Sequence, residues 1–194
     1  MYILFEGIDR VGKSTQIELL QRYFKDIVIT KEPGGTPLGE EIRQMVLHNN
    51  SMSDYAQMFL FLADRAEHIQ KIIKPNLNKL IISDRGFLSG IAYAHIKSRI
   101  DIATLKRLND IATQKVYPDK IIFFEITQAE LLKRMDKAPL DSIEERGIHY
   151  LLQVQDIMKS LLPTLHIPYV VIDATQKKEK IFDNILHIIK DGND

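Results

Sequence analysis

Residues 7–14 read Gly7-Ile8-Asp9-Arg10-Val11-Gly12-Lys13-Ser14 and fit the pattern G-x-x-x-x-G-K-[ST]. An apolar run, Tyr2-Ile3-Leu4-Phe5, precedes them, and apolar residues at helical spacing follow at Ile17, Leu20 and Phe24. Glycines between a strand and a helix let successive backbone N–H groups point at phosphate oxygens, and the helix N-terminus adds a positive dipole. A glycine-rich turn that fits by chance is the alternative, but both flanking patterns are those that the motif requires. We therefore predict a phosphate-binding loop.

The polar residues of this loop have expected parts in binding a nucleotide. Lys13 is expected to reach the β- and γ-phosphates as a point charge, and Ser14 to offer its hydroxyl to Mg²⁺. Thr15 follows at the start of the helix. The predicted phosphate-binding residues are Gly7, Ile8, Asp9, Arg10, Val11, Gly12, Lys13, Ser14 and Thr15.

The composition is that of an ordinary globular protein. The chain has 194 residues, of which 45% are hydrophobic and 27% are charged, and this length predicts a single domain over residues 1–194. The formal net charge of zero gives no general attraction to nucleic acid or to an anionic membrane surface. The sequence has no cysteine, no basic leader and no apolar run of membrane-spanning length. We expect a cytoplasmic protein that binds neither nucleic acid nor membrane.

Apolar patterns alternate between those of strands and those of helices. Short buried runs predict five strands, over 2–5, 27–30, 80–84, 120–126 and 169–173. Helical spacing predicts helices over 14–25, 38–48, 54–74, 87–97, 102–112, 129–135 and 148–165, and a closing helix that contains Ile181, Ile185 and Ile188. This order predicts a three-layer α/β/α fold of the P-loop NTPase type, in which helices cover both faces of a five-stranded parallel sheet.

Three features carry more specific expectations. One helical stripe in the segment 54–74 contains Tyr55, Met58, Phe59, Leu62, Ile69 and Ile73. This stripe predicts a long core helix that Pro75 ends or kinks.

Residues 136–145 are polar, contain Pro139 and lack an apolar stripe, so we expect a short mobile lid there. The histidines have no metal-ligand spacing and are expected to be surface or polar core residues.

A phosphate-binding loop alone leaves open switch GTPases, motor ATPases and kinases of small molecules. The chain has no Asn-Lys-x-Asp sequence for recognising guanine, and it is short for a motor ATPase. Glu32 follows one predicted strand, and Asp84, with Arg85 after it, ends another, at the edge where open α/β sheets bind their ligands. Phe61 and Arg65 lie four residues apart and hence on one helix face, where a ring and a guanidinium can contact a base together. These residues favour a kinase that phosphorylates a small anionic acceptor.

Five segments carry a more specific resemblance: Phe5 to Gln16, Lys31 to Thr36, Phe61-Leu62-Ala63-Asp64-Arg65, Asp84-Arg85 and Ser89-Gly90-Ile91-Ala92-Tyr93. Their order and spacing resemble those of thymidylate kinase, a family of P-loop nucleoside-monophosphate kinases. The resemblance implies phosphoryl transfer from ATP to dTMP, which gives dTDP, with Mg²⁺ and usually in a homodimer. A related deoxynucleoside or nucleotide kinase and a nucleotide-binding switch are the competing hypotheses.

The resemblance also implies a dTMP site, made of Asp9, Glu32, Pro33, Arg43, Phe61, Arg65, Arg85, Ser89, Gly90 and Tyr93. In this site Asp9 binds the 3′-hydroxyl of the sugar, while Phe61 stacks on thymine and Arg65 donates to a base carbonyl. Ser89 contacts the pyrimidine, Tyr93 crowds the 2′ carbon of the deoxyribose, and Arg43 reaches toward the acceptor phosphate. The residues by themselves leave structural alternatives open: a core Phe61, a surface Arg65 paired with Asp64 or Glu67, and a buried Ser89 and Tyr93 with satisfied hydroxyls.

The resemblance places Asp84 near Mg²⁺ together with Ser14, and Arg85 near the phosphates. A simple ion pair at the end of a strand is the alternative for these two neighbours. The predicted catalytic residues are Asp9, Arg10, Lys13 and Arg85.

Members of the family differ in where they have the arginine that neutralises the transferred group. Some have it in the phosphate-binding loop, and others have it in the lid. This chain has Arg10 in the loop, whereas the lid contains Lys137 and is flanked by Arg134 and Arg146. We predict that Arg10 has this role, because Arg134 and Arg146 would have to arrive with the closing lid. One departure is that the family more often has Asp, a small β-branched residue and Pro where this chain has Glu125 and then Ile126-Thr127-Gln128.

Overall fold

The computed structural model describes residues 1–49, 51–135 and 147–191. In this part of the chain five strands form one sheet: β1 (Tyr2–Glu6), β2 (Ile27–Lys31), β3 (Leu80–Asp84), β4 (Lys120–Glu125) and β5 (Tyr169–Asp173). Their order across the sheet is β2-β3-β1-β4-β5, and every neighbouring pair is parallel. The predicted five-stranded parallel sheet is confirmed. The predicted lid over 136–145, with Lys137 and Arg146, lies outside the described residues.

The same described ranges contain eight α-helices. They are α1 (Lys13–Tyr23), α2 (Pro37–His48), α3 (Asp54–His68), α4 (Phe87–Ser98), α5 (Ile102–Ala112), α6 (Gln128–Met135), α7 (Ile148–Leu161) and α8 (Lys178–Asp191). Helix α1 packs against α8, whereas α4 packs against α3, α5 and α7. The helices form two groups, one for each face of the sheet, so the predicted three-layer α/β/α fold is confirmed.

The central strands are apolar at consecutive positions, because a parallel sheet with helices on both faces has no solvent-exposed side. In β1 the side chains of Ile3, Leu4 and Phe5 are completely buried. Phe5 packs against Phe124 of β4 with ring centroids 5.2 Å apart. This apolar centre fixes the position of the loops that leave the carboxyl ends of the strands.

The predicted long helix over 54–74 differs from the structure in two ways. The α-helix ends at His68, and a π-helical turn (Ile69–Ile73) and a 3₁₀ turn (Lys74–Asn76) follow. Pro75 cannot donate a backbone hydrogen bond and crowds the preceding turn, so regular α-helical bonding stops before it. The prediction that Tyr55 and Phe59 belong to the core is wrong, because each is 55% exposed. Helix α3 instead buries a polar face that contains Arg65 and His68.

Two smaller differences concern the last helices. Helix α7 ends at Leu161, and a 3₁₀ turn, Leu162–Thr164, contains Pro163. In α8 the third core residue is Ile189 rather than the predicted Ile188. Both differences lie within one helical turn and far from the phosphate-binding loop along the chain.

The carboxyl edge of the sheet collects the residues that the sequence analysis singled out. The phosphate-binding loop follows β1, Glu32 follows β2, and Asp84 ends β3. The register pairs Phe5 with Asp84 and Lys31 with Asp84, so these three strands end side by side. None of the helices in the described ranges is both long and apolar enough to cross a membrane.

Candidate active site

The loop between β1 and α1 has the geometry of a phosphate cradle. Gly7 has a φ of 143°, and a Cβ there would lie 2.7 Å from the carbonyl oxygen of Phe124, so only glycine fits. Gly12 has a φ of 94° and precedes the first residue of α1, and Arg10 has a φ of 65°. Backbone N–H groups in such left-handed turns and at a helix N-terminus form a concave site for an anion.

Lys13 is folded back onto the loop that precedes it. Its Nζ donates to the carbonyl oxygens of Gly7, at 3.0 Å, and Ile8, at 2.9 Å. It also lies 3.9 Å from Oδ1 of Asp84. Burial and the nearby Arg85 lower the pKa of Lys13 to about 8. Of the carboxylates that the structure describes, Asp84 alone lies within ion-pair distance of Lys13, and a polyphosphate can add a stronger negative charge there.

One cavity lies over the loop, and we call it the phosphate cavity. It is lined by Asp9, Arg10, Gly12, Lys13, Ser14, Thr15, Asp84, Arg85 and Arg134. Six of the nine predicted phosphate-binding residues line it. Gly7, Ile8 and Val11 do not, and the side chains of Ile8 and Val11 belong to the apolar core. Ile8 and Val11 can therefore contact a phosphate through their backbone alone.

The side chains of Arg10 and Arg134 each donate a hydrogen bond to the backbone carbonyl of the other residue, beside this cavity. Nη1 of Arg10 donates to the carbonyl of Arg134 at 3.1 Å, and Nη1 of Arg134 donates to the carbonyl of Arg10 at 2.9 Å. Arg134 also donates to Glu130 and to the carbonyl of Ala174, at 3.0 and 2.6 Å. The expectation that Arg134 must arrive with a closing lid is wrong. It belongs to α6, whose last turn already lies against the loop.

A second cavity lies between α2, α3, α4 and α5, and we call it the acceptor cavity. It brings together all ten residues of the predicted dTMP site: Asp9, Glu32, Pro33, Arg43, Phe61, Arg65, Arg85, Ser89, Gly90 and Tyr93. Its other lining residues include Gln57, Leu62, Lys97 and Asn109. Arg43 donates from Nη1 to the carbonyl of Pro33 at 3.3 Å, so its guanidinium lies at the loop after β2.

Asp9 and Arg85 line both cavities and are paired at the boundary between them. Nη2 of Arg85 lies 2.5 Å from Oδ1 of Asp9, and Nη1 donates to the carbonyl of Gly7 at 2.7 Å. Burial acts to raise the pKa of Asp9, but the positive charges of Arg85 and Lys13 outweigh it and hold that pKa below its ordinary value. The alternative of an Asp84–Arg85 ion pair is wrong, because Arg85 pairs with Asp9 and Asp84 faces Lys13.

Arg65 is held deep in the acceptor cavity. It is 4% exposed, and its Nε donates to Glu32 at 2.8 Å while Nη1 donates to Asn109 at 2.6 Å. The alternative of a surface Arg65 paired with Asp64 or Glu67 is wrong. Burial acts to raise the pKa of Glu32, but Arg65 and His68 outweigh it, so the carboxylate remains charged with a lowered pKa.

Ser89 and Tyr93 differ in how their hydroxyl groups are used. Ser89 donates from Oγ to the buried carboxylate of Glu6 and accepts from Nη1 of Arg85 at 3.2 Å. The hydroxyl of Tyr93 is buried without a hydrogen-bond partner among the described residues. The alternative that both hydroxyls are satisfied within the protein therefore holds for Ser89 and fails for Tyr93.

Comparisons with known proteins agree on one family. The sequence profile of the family described as "Thymidylate kinase" matches residues 5–185. The chain is 50% identical over 189 residues to the "Thymidylate kinase" of Sulfurimonas denitrificans, and the match covers 97% of this chain and 99% of that protein. The chain belongs to the thymidylate kinase family. The resemblance in the sequence is thereby confirmed.

Other members of the thymidylate kinase family give the same result. The "Thymidylate kinase" of Aliarcobacter butzleri is 49% identical over 185 residues, with 95% of this chain and 96% of that protein covered. The crystal structure of thymidylate kinase from Ehrlichia chaffeensis superposes with a TM-score of 0.79 at 28% identity, covering 97% of this chain and 98% of that chain. The P-loop fold of the thymidylate kinase family therefore extends over nearly the whole chain.

Sequence reasoning about this thymidylate kinase family member missed three buried polar residues of the site. Glu6 accepts from the backbone N–H of Ser89 at 3.1 Å, and burial raises its pKa. His68 contacts Glu32 at 2.8 Å and Thr30 at 2.6 Å. Asn109 contacts Arg65 from α5. A buried polar residue in an apolar stripe is the available signal for these three, but only tertiary packing shows which partner each one has.

Gln155 of α7 binds the backbone after β4, where this chain lacks the Pro of the family pattern. Its side-chain amide accepts from the N–H of Ile126 and donates to the carbonyl of the same residue, both at 3.0 Å. These two bonds fix the backbone where β4 leads into α6.

Proposed function

We propose that this protein transfers the γ-phosphoryl group of ATP to dTMP, which gives ADP and dTDP. The observation that carries the proposal is the meeting of two cavities at Asp9 and Arg85. The phosphate cavity has the loop residues that we assign to a nucleoside triphosphate, and the acceptor cavity has apolar side chains beside the buried guanidinium of Arg65. Membership of the thymidylate kinase family supports the same reaction.

The reaction needs alignment and charge neutralisation rather than a strong base, because the attacking phosphate oxygen of dTMP is already anionic. That oxygen forms a bond to the γ-phosphorus as the bond to the bridging oxygen of ATP breaks. Lys13 and the N–H groups of the loop hold the β- and γ-phosphates. Arg10 and Arg85 both line the phosphate cavity, and they would neutralise the charge that spreads over the transferred group.

The residues of the phosphate cavity fit a Mg²⁺ ion that enters with ATP. Oδ1 of Asp84 is buried without a hydrogen-bond partner in the described part of the chain, and Ser14 is exposed at the same cavity. The described residues include no group of three or more His, Cys, Asp or Glu side chains that could hold a metal ion. The phosphates and water would therefore complete the coordination, as is usual for Mg²⁺. Bound in this way, Mg²⁺ supplies positive charge to the phosphate oxygens.

The acceptor cavity supports the proposed recognition of a pyrimidine deoxynucleotide. Phe61 presents a ring for stacking, and Nη2 of Arg65 has no acceptor among the described residues, so it can donate to a base carbonyl. We assign Asp9 to the 3′-hydroxyl of the sugar and Tyr93 to the space that a 2′-hydroxyl would occupy, because both residues line this cavity. We assign Arg43, whose guanidinium lies at the loop after β2, to the acceptor phosphate.

A homodimer in the cytoplasm is the setting that we propose for this reaction. Helices α2 and α3 pack together and expose four large apolar side chains, Leu38, Met45, Tyr55 and Phe59. A second copy would cover this surface, as is usual in the family, and the absence of cysteine fits a reducing compartment. Sedimentation velocity tests the dimer. We expect a dimer for the unaltered protein and a monomer for Phe59→Lys, and a monomer for the unaltered protein would contradict it.

Coupled detection of ADP release tests the proposed reaction. We expect dTMP to stimulate ADP release from MgATP more than dUMP, dCMP or thymidine does. If no monophosphate stimulates it, the kinase proposal fails and a nucleotide-binding switch is favoured. If thymidine is the better acceptor, the protein is a nucleoside kinase instead.

A further inference from the structure

Asn109 is a buried side chain of α5 that reaches the acceptor cavity. It is 3% exposed, and its Oδ1 accepts a hydrogen bond from Nη1 of Arg65 at 2.6 Å. Its Nδ2 donates to the carbonyl of Leu105 at 2.7 Å. The opposite amide orientation would place NH₂ against a guanidinium and an oxygen against a carbonyl. The two contacts therefore define which atom faces Arg65.

The guanidinium of Arg65 is fixed on three sides. Glu32 accepts from Nε at 2.8 Å, and Asn109 accepts from Nη1 at 2.6 Å. The third side is Gly90, where a Cβ would lie 2.9 Å from both Nη1 and Nη2. Nη2 is the nitrogen that has no acceptor among the described residues, and it belongs to a group that lines the acceptor cavity.

We propose that Asn109 is a positioning residue that determines which pyrimidine the acceptor cavity takes. It does so by occupying Nη1 of Arg65, so that one fixed donor, Nη2, faces the base. The inference rests on the proposed function, because it assumes a pyrimidine monophosphate in this cavity.

A fixed donor discriminates between bases by the group that it meets. The carbonyl at C4 of thymine or uracil accepts a hydrogen bond from a guanidinium, whereas the amino group at C4 of cytosine is itself a donor. With cytosine bound, Nη2 would lie buried and unpaired against another N–H, and an unpaired buried charge is a strong penalty. A guanidinium released at Nη1 can turn away from the amino group. Loss of the Asn109 side chain is therefore expected to lower kcat/KM more with dTMP than with dCMP.

The experiment compares Asn109→Leu, Asn109→Ser and Asn109→Asp with the unaltered protein. Leucine is close in size and has no acceptor, serine is too short to reach Arg65, and aspartate keeps an acceptor oxygen at the same place. Asn184→Leu is the matched control, because Asn184 is exposed on α8. For each protein the kcat and KM are measured with dTMP and dCMP, and the KM for ATP is measured with dTMP. Calorimetric titration gives the dissociation constants of the two monophosphates without turnover.

We expect the leucine and serine variants to lower kcat/KM for dTMP about tenfold, mainly through KM, and to reduce the dTMP/dCMP ratio by a similar factor. The KM for ATP should stay within twofold, and Asn109→Asp and the control should keep the ratio of the unaltered protein. Asn109→Leu in an Arg65→Ala background should have no further effect on the ratio, because the two residues act as one unit.

A role in folding alone predicts a different pattern. Leucine or serine variants that melt earlier but keep the dTMP/dCMP ratio would overturn the proposal, and so would a lost ratio in Asn109→Asp or additive effects with Arg65→Ala. If the leucine variant does not fold, the serine and aspartate variants decide in the same way. Failure of the proposed function is distinguishable, because the unaltered protein would then bind dTMP without transferring phosphate. Equal binding of dTMP and dCMP by the unaltered protein would also overturn the proposal.

Discussion

Arg10 and Arg134 lie at the same loop, but their side chains make different contacts. The Nε, Nη1 and Nη2 atoms of Arg134 all donate to protein oxygens, those of Glu130, Arg10 and Ala174. Turning toward the transferred phosphoryl group would break these bonds. Both arginines line the phosphate cavity, but Arg10 belongs to the loop itself. At the scale of single residues, we therefore propose that Arg134 shapes the loop and that Arg10 neutralises charge in the transition state.

We expect Arg10→Ala to lower kcat by about 10³, the low end of arginine-finger effects, with little change in ATP affinity. An interaction made mainly in the transition state contributes little to ground-state binding. Arg134→Ala, the matched variant, should mainly weaken ATP binding. Single-turnover rates distinguish the two. A near-normal rate for Arg10→Ala beside a crippled Arg134→Ala would reverse the assignment.

Lys13 predicts a pH dependence of ATP binding. Because its pKa is about 8, the side chain of Lys13 in the free enzyme loses its proton, and its positive charge, as the pH rises above 8. Bound phosphates favour the charged form, so binding takes up a proton and the KM for ATP should rise between pH 8 and pH 9.5. Lys13→Arg keeps its charge over this range. Initial rates should show a weaker pH dependence of KM in the arginine variant, and equal slopes would contradict the role of Lys13.

The position of Tyr93 suggests how the protein selects deoxyribose over ribose, and this selection can be tested. Its hydroxyl has no partner in the described part of the chain, and its ring lies 6.0 Å from the guanidinium carbon of Arg85. If the ring excludes a 2′-hydroxyl by its volume, Tyr93→Phe should keep the preference for dTMP over the corresponding ribonucleotide. Tyr93→Ala should reduce that preference about tenfold. The ratio of kcat/KM for the two substrates measures this preference. If both variants keep the preference of the unaltered protein, Tyr93 does not select the sugar.

At the scale of elements, α3 holds the segment after β2 through polar residues on its buried face. Oδ1 of Asp64 accepts from the N–H of Gly34 at 3.1 Å, and Glu32 is paired with Arg65 and His68. Burial and the neighbouring charge of Glu32 raise the pKa of Asp64 to about 6. Two carboxylates thus lie close together behind the acceptor cavity.

Asp64→Asn is expected to stabilise the protein at pH 8. The pKa of Asp64 is higher in the folded state than in the unfolded chain, so folding is favoured as the pH falls through 6 toward 4 and is disfavoured above it. Asparagine keeps an acceptor for Gly34 and carries no charge. Urea unfolding should show a gain of about 1–3 kcal/mol at pH 8 that fades by pH 4. The exposed Asp183→Asn is the control, and a loss of stability at both pH values would contradict this account.

The elements were predictable to different degrees, for physical reasons. Strands stand out because consecutive apolar residues bounded by polar ones are needed in a parallel sheet with two covered faces. The π-helical turn after α3 was not predictable, because Pro75 limits the helix without fixing how the preceding turn adapts. The buried face of α3 was misjudged because the apolar pattern does not show that Arg65 and His68 are buried by pairing with Glu32.

At the scale of the whole molecule, the parallel sheet brings segments distant in sequence to one edge. The loop after β1 borders the phosphate cavity, the segments after β2 and β3 border the acceptor cavity, and Asp9 and Arg85 line both. Motifs predicted these residues because each lies in a short local pattern. Asn109, His68 and Glu6 escaped prediction because their parts depend on packing between α5, α3 and β1.

The central claim is that the two cavities perform one direct transfer, and the fate of the γ-phosphate tests it most directly. The protein is incubated with Mg²⁺, dTMP and ATP labelled at the γ-phosphorus, and the products are separated by chromatography. We predict that the label appears in dTDP in equal amount to the ADP formed, with no labelled inorganic phosphate beyond that of a Lys13→Ala sample. Label released mainly as inorganic phosphate would contradict the account, because it would show ATP hydrolysis without transfer to the acceptor cavity.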